Sequence, residues 1–574
     1  MERLEKKTIK GKDYYYYSQW GWRDGKCRRL WQKYLGRLED IVQAVTEGVR
    51  ATYAEVFEYG LPTALWAEIE RCGIVDEINS LCPKRKQGLS VGEYIAIASV
   101  NRAICPVSKM GMWEWFCNTV LRRQFPDVNE KMLSSKRFWD NMSLLPPEVL
   151  KEIWGNLIKK VIKAEKIDLS QICYDGTNFY TFISTFNSRC DLAQRGKNKQ
   201  GRSNLRQVSY ALFCTREGGI PLYYDVYEGN TADSTQFPKM VTGFCEFLGG
   251  LAEDSSNLPG KESITVIFDK GNNSADNIKL LDKQRLNFVG SLKLNEHKDL
   301  TQVSNRDSCL TACSAESLQG MKAFSVTKKI HGKERKIVVM FNQKLFDDQF
   351  ATLNNDIRKA LGKLAEIKQR LDDRRNGLIK GGRVPTTASV TKQADEARKR
   401  QYLKGIIEVK VEDGRIPTLN YEVNSAKLDG VIDTSLGKKL LITTRLQWDD
   451  DDVIEAYHSQ YVIEHLFRGM KGSHREIKEG VWWPLNHWTN QKIQVHGLYS
   501  TVAVLLRSLL QLRAREAGLK LSPGRLMREL ADIREVVNIQ QAKGRRKERR
   551  STVLTKLNQI QTRLLQDVIN SKLG

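Results

Sequence analysis

Several features of membrane, secreted and zinc proteins are absent from this sequence. No stretch of its 574 residues approaches the roughly 20 consecutive apolar residues that a membrane-spanning helix needs. The first residues, Met-Glu-Arg-Leu-Glu-Lys-Lys, lack the apolar core of a secretory signal peptide. Its 11 cysteines include no Cys-x-x-Cys pair, so neither a disulfide framework nor a zinc ribbon is expected. These absences predict a soluble cytoplasmic protein with reduced thiols and no membrane partner.

Acidic residues are too few to balance the basic ones. The chain has 92 Lys and Arg against 68 Asp and Glu, a net charge of +24. Such an excess favours a polyanionic partner, with nucleic acid first and an anionic membrane surface second. A chain of this length also exceeds what one hydrophobic core supports, so about three or four domains are expected.

Changes in sequence pattern divide the chain into six segments. We predict a β-hairpin module over 1–40, a helical DNA-binding region over 41–166, the first part of an α/β core over 167–294, an insertion of helix and strands over 295–447, the second part of the core over 448–520, and a basic helical tail over 521–574. In the helical region, 89–104 followed by 108–117 fits a helix-turn-helix, although short helical pairs occur in any helical domain.

The central segment has the pattern of a mixed sheet. Three consecutive strand-like runs are followed by helices that alternate with two more strands, and this order predicts a mixed α/β fold. A basic loop between the first two strands offers candidate DNA contacts. These are Arg195, Lys197, Lys199 and Arg202.

Two aspartates belong to strands of this predicted sheet. Asp175 lies within the first strand and Asp269 ends the fourth. If those strands are adjacent, the two carboxylates meet, and a helix packed alongside can deliver Glu464. Three converging carboxylates suit two Mg²⁺ ions, which activate an attacking water or hydroxyl and stabilise the leaving oxygen of a phosphodiester. Mn²⁺ is expected to substitute.

The segment 457–471 is predicted to form the helix that carries this third acid. At 100° per residue its polar side gathers Tyr457, Gln460, Tyr461, Glu464, Arg468 and Lys471. The opposite side gathers Val462, Ile463, Leu466, Phe467 and Met470, which we expect to face a core. Four aspartates at 449–452 precede the helix. They fit either metal ligands or, as we favour, charges that cap its N-terminus.

At these residues the chain resembles the DDE transposases of bacterial insertion elements, specifically the insertion-sequence-four superfamily. That superfamily shows Tyr, two residues, Arg, three residues, Glu, six residues, Lys; this chain has Tyr457, Gln460, Glu464 and Lys471. Further matching pieces are Tyr-Asp-Gly-Thr at 174–177, Gly229-Asn230 with Asp233, Phe-Asp-Lys-Gly at 268–271, and Arg468. The resemblance covers roughly residues 90–525.

The resemblance implies an RNase H-like core with an insertion domain before the glutamate. It implies Mg²⁺-dependent cleavage and strand transfer at terminal inverted repeats, performed by a homodimer on element and target DNA in the bacterial cytoplasm. Asp175, Asp269 and Glu464 become the catalytic metal ligands, and Tyr457 and Lys471 become DNA contacts. Gln460 departs from the family pattern because it cannot form the charged fork that Arg forms with phosphate, and Arg468 is a candidate to compensate. Two alternatives stay open: a nuclease of the same fold without strand transfer, and an inactive DNA-binding relative.

Overall fold

The computed structural model describes residues 1–23, 25–46, 53–83, 88–197, 201–202, 204–253, 260–472, 480–540 and 549–569. The chain divides into two compact units. The smaller comprises Met1–Ala64, Trp113–Val128 and Ala514–Gly574, and the larger comprises Leu65–Met112 and Asn129–Arg513.

The strands are, in chain order, β1 Glu2–Ile9, β2 Lys12–Arg23, β3 Lys26–Gly36, β4 Tyr53–Glu58, β5 Gln171–Thr181, β6 Arg206–Thr215, β7 Pro221–Glu228, β8 Thr265–Phe268, β9 Asn287–Leu292, β10 Thr311–Ala312, β11 Met321–Ile330, β12 Lys333–Asn342, β13 Ile407–Glu412, β14 Thr418–Val423, β15 Lys438–Thr443, β16 Arg534–Gln540 and β17 Arg549–Leu554.

The helices are α1 Leu38–Thr46, α2 Gly60–Arg71, α3 Ile74–Leu81, α4 Val91–Ile104, α5 Met112–Cys117, α6 Leu121–Gln124, α7 Ser135–Met142, α8 Pro147–Ala164, α9 Asp233–Glu253, α10 Ala275–Lys283, α11 Lys298–Thr301, α12 Gln343–Arg375, α13 Thr387–Ala397, α14 Leu403–Ile406, α15 Ser425–Thr434, α16 Asp450–His458, α17 Tyr461–Lys471, α18 Asn490–Glu516, α19 Pro523–Ala531 and α20 Gln559–Arg563. A π-helical segment, Leu564–Ile569, ends the described chain.

A nine-stranded mixed sheet organises the larger unit. Its order is β10-β11-β12-β15-β9-β8-β5-β6-β7, with β5, β8 and β9 parallel to one another and the other pairs antiparallel. β6 and β8 are buried along their whole length, as expected for strands covered on both faces. The five strands β5 to β9 lie in the order 3-2-1-4-5 counted from β7, and β6 runs against its neighbours. The predicted α/β class with an RNase H-like core is confirmed.

Part of the predicted insertion belongs to this same sheet. β10, β11, β12 and β15 extend it beyond β9, so the segment 295–447 does not form one separate body. The residues between β12 and β15 do build a hydrophobic core of their own, centred on α12 and including Leu353, Leu364, Leu371, Leu403 and Leu436. Apolar residues at spacings of three and four along α12 supply one side of this core.

The smaller unit contains two sheets of three strands, and one of them corrects the sequence analysis. β1, β2 and β3 form an antiparallel meander, which adds a strand to the predicted hairpin. β4, β16 and β17 form the second, although 41–166 and 521–574 were predicted to be helical. The reason is the alternation in β16, where every second side chain is buried. This period of two was masked by the charged residues that surround it.

The predicted helix-turn-helix is not supported. α4 is buried along almost its entire length, which leaves no surface for DNA. The would-be recognition helix α5 has six residues, Met-Trp-Glu-Trp-Phe-Cys, with no Lys or Arg to contact phosphates.

The helix α18 is long and apolar enough to cross a membrane by length and composition alone. However, 89% of its most apolar window is buried inside the protein. Such burial is typical of a helix at the centre of a protein core.

Two histidines are buried beside Tyr499 in the larger unit. Nε2 of His496 donates to the carbonyl oxygen of Trp482 at 2.8 Å, and the Tyr499 hydroxyl donates to Nδ1 of His496 at 2.6 Å. Nε2 of His487 lies 3.2 Å from the same hydroxyl oxygen and acts as its donor. Both rings therefore serve as hydrogen-bonding groups of the buried core.

These histidines predict a loss of stability in mild acid. Burial, with the positive charges of Lys109 and Arg102, lowers the pKa of His487 to about 3, and burial lowers the pKa of His496 well below its usual 6.5. Below about pH 6.5 these histidines become protonated in the unfolded chain but stay neutral in the folded protein. The free energy of unfolding should then fall as pH drops, by up to about 1.4 kcal/mol per pH unit for each histidine.

Urea unfolding at pH 7, 6 and 5 measures this slope. His487→Gln keeps a donor at the same place without a titrating ring and should remove about half of the slope. His331→Gln replaces an exposed histidine and should leave it unchanged. An unaltered slope in His487→Gln would assign the acid sensitivity to other groups.

Candidate active site

Asp175 and Asp269 lie side by side on adjacent parallel strands. β5 and β8 pair with Tyr174 opposite Phe268, and each aspartate is the next residue, Asp175 within β5 and Asp269 directly after β8. Oδ1 of Asp175 accepts the amide N–H of Gly176 at 2.7 Å, and Oδ1 of Asp269 accepts that of Lys270 at 2.7 Å. The adjacency that the sequence analysis made conditional on strand order is thus present.

The segment 457–471 forms two helices rather than one. α16 ends at His458 and α17 begins at Tyr461, because the Ser459 hydroxyl donates to the carbonyl oxygen of Ala456 at 2.6 Å and tightens the turn. Tyr457 therefore sits in the last turn of α16 and Glu464 in the first turn of α17. The expected core-facing side is confirmed for Ile463, Phe467 and Met470, which are buried, whereas Val462 and Leu466 are half-buried.

The turn at Ser459 lies against β5 on the face that carries Asp175. The thiol of Cys173 donates to the carbonyl oxygen of Ser459 at 3.5 Å. Cys173 and Asp175 are two residues apart on the strand, so their side chains share a face. Tyr457, Ser459 and Glu464 are thereby held on the same side of the sheet as the first aspartate.

Tyr457 links this helical segment to the second aspartate. Its hydroxyl donates to Oδ1 of Asp269 at 3.3 Å. Burial, then the negative charges of Asp269 and Glu464, raise the pKa of Tyr457 to about 12. The phenol is therefore a proton donor at neutral pH, and both acids lie within its electrostatic reach.

The chemistry of these acids suits Mg²⁺, which takes carboxylate oxygens in preference to nitrogen or sulfur. Glu464 is exposed, and its carboxylate has no hydrogen-bond or ion-pair partner in the part of the chain that the structure describes. Within those same ranges, no three His, Cys, Asp or Glu side chains lie close enough together to hold a metal ion. Two neighbouring aspartates and an uncommitted third acid are present, and the third must approach to complete a shared site.

Most of the predicted basic loop is exposed beyond β5. Arg195 donates to the hydroxyl of Thr185 at 3.2 Å, Lys197 is exposed, and the Arg202 guanidinium lies 5.4 Å from the ring centroid of Tyr180. Lys199 lies outside the described residues. Arg206 differs from its neighbours because it is buried and donates to the carbonyl oxygens of Ala193, Ser184, Asn187 and Cys190. It shapes the loop from within.

The remaining predicted DNA contacts on α17 have different surroundings. Arg468 is exposed. Lys471 is half-buried, with Nζ 5.8 Å from the ring centroid of Phe179. Nε2 of Gln460 is buried and finds no acceptor among the described residues. Gln460 is therefore turned inward, and Arg468 is the better placed of the two for an external phosphate.

The aspartates at 449–452 serve the N-terminus of α16. Asp449 is the N-cap residue, and Asp450 to Asp452 lie in the first turn. Asp450 pairs with Lys336 at 2.8 Å, and Asp451 accepts from the amide and hydroxyl of Ser314 at 2.7 Å. Their positions in the first turn suit the favoured interpretation of charges that complement the helix dipole, but the side chain of Asp449 makes no capping hydrogen bond among the described residues.

Two contacts near the candidate acids were not predicted from the sequence. Nζ of Lys439 lies 5.4 Å from the ring centroid of Tyr457, at the edge of the same site. Behind β5, a Cβ placed on Gly176 would lie 3.3 Å from both Oδ1 of Asp233 and the hydroxyl of Tyr227. The motif pieces that contain Gly176 and Asp233 were visible in the sequence, but their contact was not.

Comparisons with known proteins place the chain in a family. No curated protein sequence matches the chain. A cryo-EM structure of the piggyBac transposase synaptic complex with hairpin DNA is similar at a TM-score of 0.37 and 12% identity, over 82% of this chain and 79% of that one. The family model described as the transposase DDE domain matches residues 167–478, which is more than half of the sequence and includes all three candidate acids. The chain belongs to the DDE transposase family.

Proposed function

We propose that this transposase cuts the DNA at the ends of an insertion element and joins the freed 3′-hydroxyl to target DNA. The element ends are expected to carry terminal inverted repeats, and two ends must be held together, which calls for at least a homodimer. The insertion-sequence-four superfamily is the group that the residue pattern favours. The activity would depend on Mg²⁺, with Mn²⁺ as a substitute.

One observation carries this proposal: Asp175 and Asp269 stand side by side at adjacent strands, with the Glu464 helix held against the same face. Asp175 accepts the amide N–H of Gly176, Asp269 accepts that of Lys270, and Asp269 also accepts the hydroxyl of Tyr457. Paired carboxylates at the edge of a sheet suit the binding of a divalent cation.

The roles of this chain's residues follow from their positions. Asp175, Asp269 and Glu464 would hold the metal ions, which supply charge stabilisation to the phosphodiester and lower the pKa of the attacking hydroxyl. Tyr457 donates to Asp269 and helps to orient that carboxylate. Arg468 and Lys471, at successive turns of α17 beyond Glu464, are placed to attract the DNA backbone.

The test is cleavage of a duplex that carries the element's own end, with Mg²⁺, followed by detection of joined products. Asp269→Asn should abolish nicking and joining while DNA binding persists. Cleavage without any joined product in the wild-type protein would favour a nuclease of the same fold. Cleavage by Asp269→Asn at the wild-type rate would refute the assignment of this site.

Tyr457→Phe should lower the cleavage rate by about 10- to 100-fold. The substitution removes a hydrogen bond to a charged acceptor, which is worth roughly 1.5–3 kcal/mol. We expect a higher Mg²⁺ concentration for half-maximal activity, because Asp269 loses the donor that fixes it. A Mg²⁺ titration of the single-turnover rate measures both effects.

Tyr461→Phe is the matched control. Tyr461 is 59% exposed, four residues further on, and its described contact is a ring contact with His465. Loss of its hydroxyl should leave the Mg²⁺ titration unchanged. Equal effects of the two substitutions would show that the link between Tyr457 and Asp269 is not what matters.

A further inference from the structure

The ribbon formed by β2 and β3 extends past the strand that flanks it. β1 pairs with β2 from Lys12 to Gln19. Beyond this point the described pairing of β2 is with β3, through Gly21 opposite Arg28 and Arg23 opposite Lys26. The end of the sheet is thus a two-stranded ribbon, and the major groove of duplex DNA, about 12 Å wide, admits such a ribbon.

This part of the chain is strongly basic. Residues 1–37 contain 11 Lys and Arg against four Asp and Glu, a net charge of +7. Lys26, Arg28 and Lys33 are the cross-strand partners of residues 23, 21 and 17, which alternate along β2. Cross-strand partners share a face, so all three cations project from the same side of the ribbon.

These three cations are available to an external anion. Each is exposed, and the described ion pairs of the sheet use Arg3, Lys6 and Arg29 instead. On the opposite face, cations lie against aromatic rings of the same sheet. There, Arg3 lies 4.7 Å from the ring centroid of Trp20, and Lys7 lies 4.8 Å from that of Tyr16. Charge complementarity therefore singles out one face.

The same face carries a fixed aromatic surface between the cations. Trp31, the partner of Gln19, is 40% exposed, and its ring meets that of Tyr17 edge-on at 5.6 Å. Its Nε1 donates to the Gln19 side chain at 2.6 Å, which fixes the indole. A rigid aromatic ring among unpaired cations offers contact area at little entropic cost, in addition to charge.

We propose that the β2–β3 ribbon binds duplex DNA, with its end in the major groove and Lys26, Arg28 and Lys33 against the phosphates. This inference rests on the proposed function for its choice of nucleic acid, and it assigns DNA contact to a surface outside the catalytic unit. It replaces the helical pair α4–α5 as the candidate DNA-binding element of the N-terminal region.

The experiment compares two full-length triple variants. Lys26→Gln, Arg28→Gln and Lys33→Gln together remove the three ribbon charges. Lys359→Gln, Lys363→Gln and Lys392→Gln together remove three exposed charges from α12 and α13, for the same change in net charge. Both should fold like the wild type, since all six positions are exposed.

The probe is a labelled duplex of about 30 base pairs, followed by anisotropy over a range of salt concentrations. The ribbon variant should bind at least about tenfold more weakly near 0.1 M salt. Its plot of log affinity against log salt should be shallower by about 2–3, because up to three phosphate contacts are lost. The control variant should retain the wild-type slope. The single strand of the same sequence is expected to bind more weakly than the duplex and to respond less to the ribbon substitutions.

Equal losses in both variants would show a general effect of net charge and overturn the proposal. If the ribbon substitutions weaken the affinity for the single strand more than the affinity for the duplex, binding in the groove is overturned. Failure of the inference leaves the proposed function intact, because Asp269→Asn tests cleavage alone and should bind the duplex as the wild type does. If Asp269→Asn cleaves normally, the proposed function fails while the comparison of ribbon and control still stands.

Discussion

Glu464→Gln should reduce Mg²⁺-dependent DNA cleavage by about 10³-fold or more and leave the stability of the protein unchanged. The carboxylate is exposed and has no partner among the described residues, so its removal breaks no contact of the fold. Surface substitutions of this kind usually change the free energy of unfolding by less than about 0.5 kcal/mol. The loss of a ligand to a catalytic metal, in contrast, removes several kcal/mol of transition-state stabilisation.

Single-turnover cleavage and urea unfolding of the same preparations separate the two effects. Glu464→Asp keeps the charge but withdraws the carboxylate by one methylene, so it should also lose most of the activity. Glu366→Gln, an exposed glutamate of α12, should change neither rate nor stability. Normal cleavage by Glu464→Gln would remove Glu464 from the site. A large loss of stability would instead mean that the residue supports the fold.

The sequence predicted those features that follow from the spacing of apolar residues within one helix or strand. The apolar runs of β5 to β9 predicted the strands of a buried sheet, whereas the meeting of the two aspartates depended on a strand order that the sequence left open. The apolar spacing of Ile463, Phe467 and Met470 likewise predicted the buried side of α17. These features depend on residues that are close in sequence.

The features that escaped prediction depend on partners distant in sequence. β12 ends in a continuous buried run from Ile337 to Phe341, and nothing in its residues shows that β12 pairs with β15 and β15 with β9. The turn between α16 and α17 follows from Ser459, whose hydroxyl returns to the backbone, whereas its helical neighbours favour continuity. A periodicity argument could not have distinguished a kinked pair of helices from one helix.

The burial of a charged side chain was also not visible in the sequence. Arg206 belongs by sequence to the same basic loop as the four predicted DNA contacts. In the structure it satisfies four backbone carbonyl groups, which a loop of this size otherwise leaves without donors. A buried charged residue can thus hold in place a loop whose other basic side chains are exposed.

The same loop is tied to the sheet at Gln207, next to Arg206. The amide of Gln207 donates to the carbonyl oxygen of Gln194 at 2.8 Å, and its side chain Nε2 donates to that of Gly229 at 2.6 Å. The amide of Gly229 in turn donates to Leu192 at 3.0 Å. Three chain segments meet here, and glycine is what allows them to approach: a Cβ on Gly196 would lie 2.6 Å from the carbonyl oxygen of Gly229.

Gly229→Ala should therefore destabilise the larger unit by at least about 3 kcal/mol and weaken DNA binding by the loop. The added Cβ would lie 1.9 Å from the carbonyl oxygen of Gln207 and 2.5 Å from its carbonyl carbon, and both are backbone atoms that cannot rotate away. Relief of the clash requires β7 to separate from β6, which exposes buried hydrogen bonds and packed side chains. Urea unfolding measures the first effect, and anisotropy with a labelled duplex measures the second.

Gly362→Ala adds the same methyl group but should stabilise the protein. Gly362 lies within α12 with nothing within 4 Å of an added Cβ, so alanine should stabilise the helix by up to about 1 kcal/mol. The backbone of Gly229 is not in the left-handed region, so alanine is not strained there by its φ angle. The difference in the free energy of unfolding between the two variants therefore reports the steric clash. If Gly229→Ala unfolds at the wild-type midpoint, the loop must move aside without cost. The junction at Gln207 would then not be what holds the basic side chains of the loop in place, and their arrangement would have to come from Arg206 alone.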